Sequence, residues 1–142
     1  MPEVKRSALV MYTPEQMFEL VRDVAHYPDF LVWVTATQVH QQTETEQQAT
    51  MQLSISGLTQ RIRTHNTLDY GRSLTMQMAD GPFRQFRGRW DFQDLGIGCR
   101  VELTLAFEFD NPVLTAAFNA GFVTVANRMI DDFCNRADRL YG

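Results

Sequence analysis

The residues that could bind a metal or act as nucleophiles are few and scattered. The sequence has two cysteines, Cys99 and Cys134, and three histidines, His26, His40 and His65. A structural zinc site needs about four ligands, and these five residues do not form such a motif. We therefore expect two reduced thiols in a cytoplasmic protein, with no metal and no cofactor.

Acid–base catalysis needs an ionisable group held beside the substrate. Glu102 and Glu108 fall on the polar side of an alternating strand, and His65 alternates with Ile62, Thr64 and Leu68, so we expect it to face solvent. We can place neither a glycine-rich phosphate loop nor a Ser-His-Asp arrangement. The residues favour binding over bond-making chemistry, and we assign no catalytic residue.

The arginines are concentrated in the middle of the chain. Residues 57–90 hold six arginines and two aspartates, a charge of +4, whereas the rest of the chain carries −8 and the whole chain −4. Guanidinium groups suit phosphate because they donate bidentate hydrogen bonds. The candidates for nucleic-acid binding are two pairs that each share a strand face: Arg61, Arg63, Arg87 and Arg89. The alternative is an ordinary solvated sheet face, whose charges discourage edge pairing.

These side chains must be positioned by a sheet. Residues 3–11 read as a first strand, and residues 35–109 alternate apolar and polar side chains between turn signals. This pattern predicts an antiparallel meander with one wet and one dry face. Between the first strand and this meander, Thr13 and Pro14 predict the start of a helix, and Pro28 predicts its end.

The last segment is predicted to be one long helix. Asn111 can cap it, and Pro112 fits its first turn. Apolar residues then recur every three or four positions up to residue 140: Leu114, Phe118, Phe122, Val125, Met129, Phe133, Ala137 and Leu140. Gly121 indicates either close packing on the sheet or a bend.

A sheet with one dry face and a helix with one apolar stripe must cover each other. We predict a single α+β domain over residues 1–142, in which about seven curved antiparallel strands wrap around the C-terminal helix. Five rings should line an apolar space between them: Phe86, Trp90, Phe107, Phe118 and Phe122. Four more should edge its opening: Tyr27, Phe30, Trp33 and Phe83. Gly88 should leave a gap beside Trp90.

The order of these elements resembles the START-like helix-grip family, and more specifically its RatA-like and coenzyme Q-binding subgroup. The resemblance spans nearly the whole chain and is carried by these segments: Ser7-Ala8-Leu9-Val10, Tyr12 to Val21, Tyr27-Pro28-Asp29-Phe30-Leu31, Asp80-Gly81-Pro82-Phe83, Trp90-Asp91-Phe92 and Phe107-Glu108-Phe109. The chain departs from the family at Val32 and Val34, where members commonly have a proline and, shortly after it, often a cysteine.

This resemblance implies three alternative functions. The first is binding of an isoprenoid quinone such as ubiquinone, or of another lipid, in support of respiration. The second is that of a toxin which binds the large ribosomal subunit and blocks subunit association. The third is cyclisation of aromatic polyketides.

We expect a cytoplasmic location, because no apolar run approaches the roughly 20 residues of a membrane-spanning helix and the N-terminus lacks the apolar part of a signal peptide. Peripheral contact with a membrane is an alternative that these observations leave open.

Overall fold

The structure is a computed structural model that describes residues 3–142. It contains seven strands with alternating side chains, two α-helices and one short 3₁₀ helix. Residues 1 and 2 of the expected domain therefore lie outside the described residues. The elements are β1 Glu3–Val10, α1 Pro14–Arg22, the 3₁₀ helix Val24–Asp29, β2 Val34–Gln42, β3 Glu46–Ile55, β4 Leu58–Asp69, β5 Ser73–Asp80, β6 Phe83–Asp94, β7 Cys99–Phe109 and α2 Pro112–Tyr141.

The strands form one antiparallel sheet in the order β1-β7-β6-β5-β4-β3-β2. Strands β2 to β7 are a meander, and β1 closes the other side by pairing with β7, where Glu3 lies opposite Ala106. The curved sheet and the long C-terminal helix match the predicted α+β helix-grip architecture. The dry face is clearest on β7, whose alternate residues from Cys99 to Phe109 are buried.

Helix α1 begins as predicted and ends earlier than predicted. The Thr13 side chain accepts a hydrogen bond from the Gln16 N–H while the Gln16 side chain accepts one from the Thr13 N–H, a capping box. The α-helix stops at Arg22, and Pro28 lies inside the following 3₁₀ helix. The prediction that Pro28 ends the element was wrong because the chain tightens to 3₁₀ geometry after Asp23, well before the proline.

Helix α2 buries the expected stripe against the sheet. The Asn111 side chain accepts hydrogen bonds from the Val113 and Leu114 N–H groups, which fixes the start of the helix. Phe118, Phe122, Phe133 and Ala137 are buried, and so are Ala126 and Ile130, which the single row of predicted positions omitted, whereas Leu140 is 52% exposed. A helix face that rests on a sheet is wider than one row of side chains.

Gly121 lets α2 approach the end of the β3–β4 hairpin. A Cβ atom at this position would lie 2.5 Å from Ser56 Oγ and 2.6 Å from Ile55 Cγ2. Of the two readings of this glycine, close packing of the backbone is therefore the observed one.

By length and composition alone, α2 is apolar enough to cross a membrane, which differs from the expectation that no segment approaches that length. Its first charged residue is Arg128. Core helices of soluble proteins meet the same measure, and α2 buries Phe118, Phe133 and Ala137 within the fold.

Candidate functional site

A small apolar cavity lies between the sheet, α2 and the segment that precedes β2. Its volume is about 40 Å³, far below the roughly 300–1,000 Å³ of typical ligand pockets. Its lining is made of aliphatic, methionine and aromatic side chains: Tyr27, Leu31, Trp33, Met51, Leu53, Ile62, Met76, Phe86, Trp90, Leu105, Phe122 and Met129. The concave side of the sheet is thus nearly filled in this conformation.

The structure brings five of the nine predicted ligand-binding residues to this cavity: Tyr27, Trp33, Phe86, Trp90 and Phe122. The other four are not part of its lining. Phe83 and Phe107 pack with Phe122, at ring-centroid distances of 5.3 Å and 4.6 Å, and Phe118 packs on Phe109 at 5.4 Å. These three rings form a solid phenylalanine cluster beside the cavity.

Phe30 is the fourth residue outside the lining. Its ring centroid lies 5.1 Å from that of Phe133 on α2, and the guanidinium carbon of Arg136 lies over the ring, 5.2 Å from its centroid. A side-chain nitrogen of Arg136 also lies 3.9 Å from a carboxylate oxygen of Asp29. The segment before β2 is therefore fastened to α2, while Val32 at its tip is 88% exposed.

Three methionines reach the cavity and were not among the predicted residues. Met51, Met76 and Met129 come from β3, β5 and α2. The gap expected at Gly88 does not exist, because a Cβ there would lie 2.5 Å from Met76 Cε and 2.9 Å from Leu105 Cδ2. Met76 is the cross-strand partner of Gly88. The register between β5 and β6 therefore indicates that the Met76 side chain occupies the space beside Gly88. Methionine side chains change rotamer readily, so these three side chains can move and enlarge the cavity.

Two polar groups stand out in the lining. The Tyr27 hydroxyl donates to the Val21 carbonyl, and burial together with the negative charge of Asp23 raises the pKa of Tyr27. The Trp33 indole nitrogen is buried and has no hydrogen-bond partner within residues 3–142. Tyr27 is the one ionisable residue in the described lining, so this site offers packing and hydrogen bonding, with no residue positioned as a general acid or base at neutral pH.

A second polar cluster is buried farther along the dry face. Gln47 Nε2 donates to the Arg22 carbonyl at 2.8 Å, which fixes the amide orientation and leaves Gln47 Oε1 to accept from Asn66 Nδ2, also at 2.8 Å. Asn66 Oδ1 is then left buried without a partner in the described part of the chain. This cluster ties the end of α1 to β3 and β4.

The predicted basic residues lie on the convex face, opposite the cavity. Strand β5 lies between β4 and β6, and Thr75 and Gln77 are paired with Arg89 and Arg87. Arg61, Arg63 and Arg87 are exposed and form no ion pair with any described residue, although Arg63 donates to the Gln48 side-chain oxygen at 2.9 Å. We refer to Arg61, Arg63, Arg87 and Arg89 as the arginine strip.

Arg89 differs from the other three members of the arginine strip. Its Nε donates to both carboxylate oxygens of Asp91, at 2.9 Å and 3.1 Å. The pair lies two residues apart on one strand face, and side chains at that spacing point the same way. Arg89 is therefore partly neutralised, and three guanidinium groups without an ion pair to a described residue remain.

The described residues contain no candidate metal site. Residues 3–142 contain no group of three or more histidine, cysteine, aspartate or glutamate side chains that could hold an ion. Cys99 is fully buried, and burial raises the pKa of its thiol from 9.0 to about 11.

A seven-stranded antiparallel sheet that grips one long C-terminal helix around an apolar interior defines the START-like helix-grip class. The chain belongs to the polyketide cyclase / dehydrase and lipid transport family, whose model matches residues 10–134. It is 41% identical over 143 residues to the ribosome association toxin RatA of Vibrio cholerae, covering 100% of this chain and 99% of that protein. It is 39% identical over 140 residues to the protein of the same name from Pseudomonas aeruginosa, covering 98% and 97%. Among solved structures, a START superfamily protein from Mycobacterium smegmatis shares the fold with a TM-score of 0.82 at 15% identity, covering 97% of this chain and 98% of that one.

Proposed function

We propose that this protein acts by associating with the ribosome through the arginine strip on the convex face of its sheet. The observation that carries the proposal is the set of three exposed arginines, Arg61, Arg63 and Arg87, that form no ion pair with a described acidic residue, although Arg63 lies across from Asp80 in the strand register. Full-length relatives that are named ribosome association toxins support it. With this role the protein works in the cytoplasm, and its partner is the large ribosomal subunit.

The chemistry of the face favours contact with the RNA backbone. The exposed residues of β3 to β6 in the described structure include no phenylalanine, tyrosine or tryptophan. Proteins that bind single-stranded RNA stack its bases mainly on such rings, and the exposed imidazole of His65 on β4 is the smaller ring that this face offers in their place. Arginines with interspersed glutamines and threonines instead suit phosphates and ribose hydroxyls.

The experiment is co-sedimentation of the purified protein with isolated ribosomal subunits at increasing salt. The triple variant Arg61→Glu, Arg63→Glu and Arg87→Glu should lose co-sedimentation with the large subunit. A matched variant, Arg6→Glu, Arg128→Glu and Arg139→Glu, changes the net charge equally at exposed positions off the convex face and should still bind. If the first variant sediments with the large subunit as well as the second does, the arginine strip is only a solvated surface.

A second candidate function is binding of an apolar ligand, an isoprenoid quinone or another lipid, in support of respiration. The observation that favours it is the cavity, whose lining is apolar except for the hydroxyl of Tyr27 and the indole N–H groups of Trp33 and Trp90, of which that of Trp33 is buried and unpaired within residues 3–142. Each buried methylene contributes about 0.8 kcal/mol, so a short isoprenoid chain would suffice. At about 40 Å³ the cavity must first grow by movement of Met51, Met76 and Met129.

Native mass spectrometry of the protein purified from its own host, followed by lipid extraction, tests this second function. A quinone or lipid that co-purifies supports this function. A protein that is purified without ligand and does not bind added short-chain ubiquinone contradicts it. The two functions use opposite faces of the sheet, so the triple arginine variant should retain any ligand.

A further inference from the structure

The indole N–H of Trp33 is a buried hydrogen-bond donor without an acceptor. Trp33 is 8% exposed, and its Nε1 atom has no partner within residues 3–142. Buried donors in folded proteins are nearly always paired, and an unpaired one lowers stability. The exceptions call for an explanation, and a partner that arrives with a ligand is one.

The surroundings of Trp33 do not supply a side-chain acceptor of useful strength. Its neighbours in the cavity wall include Leu31, Met51 and Leu53, and a thioether sulfur is a weak acceptor. The backbone of Trp33 is fixed independently of the indole, since its carbonyl accepts a hydrogen bond from the Ser54 N–H at 2.9 Å. The backbone that carries the donor is therefore fixed before any partner is present.

We propose that Trp33 Nε1 donates a hydrogen bond to an oxygen acceptor on the ligand, so that the cavity selects apolar molecules that carry a carbonyl or ether oxygen. This inference rests on the ligand-binding function proposed above. Quinones, ketones and lipid esters share the required acceptor, whereas plain hydrocarbons lack it. Trp33 is then the residue that distinguishes ligands with an oxygen acceptor from plain hydrocarbons in a largely apolar site.

The cavity also explains why the donor is not satisfied by water. Apolar cavities of this kind stay dry because a water molecule inside needs two to four polar partners. The described lining provides only the indole N–H groups of Trp33 and Trp90, which donate but cannot accept, and the hydroxyl of Tyr27, which already donates to the Val21 carbonyl. A ligand that brings its own apolar bulk and one acceptor meets both requirements.

Two probes that differ in a single carbonyl test the inference, namely 9-fluorenone and fluorene. The native protein should bind fluorenone about fivefold more tightly, the worth of one neutral hydrogen bond, and Trp33→Phe should bind the two equally. In a ¹⁵N-correlated NMR spectrum, fluorenone should move the Trp33 indole proton downfield and fluorene should not. The indole proton of Trp90, which also borders the cavity, reports the competing contact, and a downfield shift there without one at Trp33 would overturn the assignment to Trp33.

Each outcome decides a different point. Equal binding of the two probes by the native protein, or an unchanged preference in Trp33→Phe, overturns the role of Trp33 and leaves ligand binding intact. Binding of neither probe overturns both the role of Trp33 and the ligand-binding function. If Trp33→Phe does not fold, the indole proton of the native protein still decides, with its assignment taken from Trp90→Phe.

Discussion

The guanidinium of Arg136 lies over the Phe30 ring, with 5.2 Å between the guanidinium carbon and the ring centroid. Phe30 also packs in a T-shaped contact against Phe133, one turn earlier on α2. Helix α2 thereby holds the segment that carries two of the cavity's aromatic residues, Tyr27 and Trp33.

Arg136→Ala should loosen this segment without unfolding the protein. We expect amide hydrogen exchange to rise across residues 24–33, and the free energy of unfolding to fall by about 1 kcal/mol, typical of a partly desolvated cation–π contact. Arg128→Ala, an exposed arginine on α2 that does not border this segment, is the control and should leave exchange in that segment unchanged. Equal exchange in both variants would mean that Arg136 does not hold the segment.

Asp91→Asn should strengthen ribosome binding. Asp91 neutralises Arg89 through two hydrogen bonds, so its removal should free a fourth guanidinium on the arginine strip. The log–log slope of affinity against salt should steepen by roughly 0.7 to 0.9, one additional phosphate contact. Glu44→Gln, an equal charge change in the exposed turn between β2 and β3, should leave the slope as it is.

Gly88→Ala should destabilise the fold by about 1 to 3 kcal/mol through overpacking. The new Cβ would meet the ends of Met76 and Leu105. In a Met76→Ala background the same substitution should cost less, because the nearest of the two contacts is gone. Denaturant unfolding of the four proteins in this cycle measures the coupling, and strictly additive losses would show that Met76 does not fill the Gly88 site.

Cys99 should make stability fall at alkaline pH. Burial raises the pKa of its thiol from 9.0 to about 11, so the folded state keeps a proton that the unfolded state releases. The contribution is complete below pH 9 and is lost as the pH rises from 9 to 11. Cys99→Val should have a flatter stability profile in that window, measured by unfolding at each pH, whereas a profile parallel to that of the native protein would contradict the assignment.

The strand faces and the long helix could be predicted because they follow from alternation and helical periodicity within one segment. The convex position of Arg61 and Arg87 is of this kind, and so is the ion pair of Arg89 with Asp91, which strand spacing could have suggested. The early end of α1 could not be predicted, because Val24 continues the apolar pattern in a tighter helix.

The cavity lining could be predicted only in part, because it depends on how separate elements meet. Phe107 and Trp90 both lie on the dry face, and nothing in their spacing shows that one ring packs in a solid cluster while the other borders a void. The filling of the Gly88 site by Met76 needs the register between β5 and β6. Leu31 and Met129 reach the cavity because the segment before β2 and α2 converge there, a relationship between parts distant in sequence.

The pairing of β1 with β7 has a consequence for how this chain comes to be folded. Strand β1 can pair only after β7, Cys99–Phe109, has been made, and α2, which covers the sheet, follows β7. Contacts of such high sequence separation slow folding and leave apolar surface open in the meantime. We therefore expect the dry faces of β3 to β6 to stay unshielded in the nascent chain until α2 has emerged.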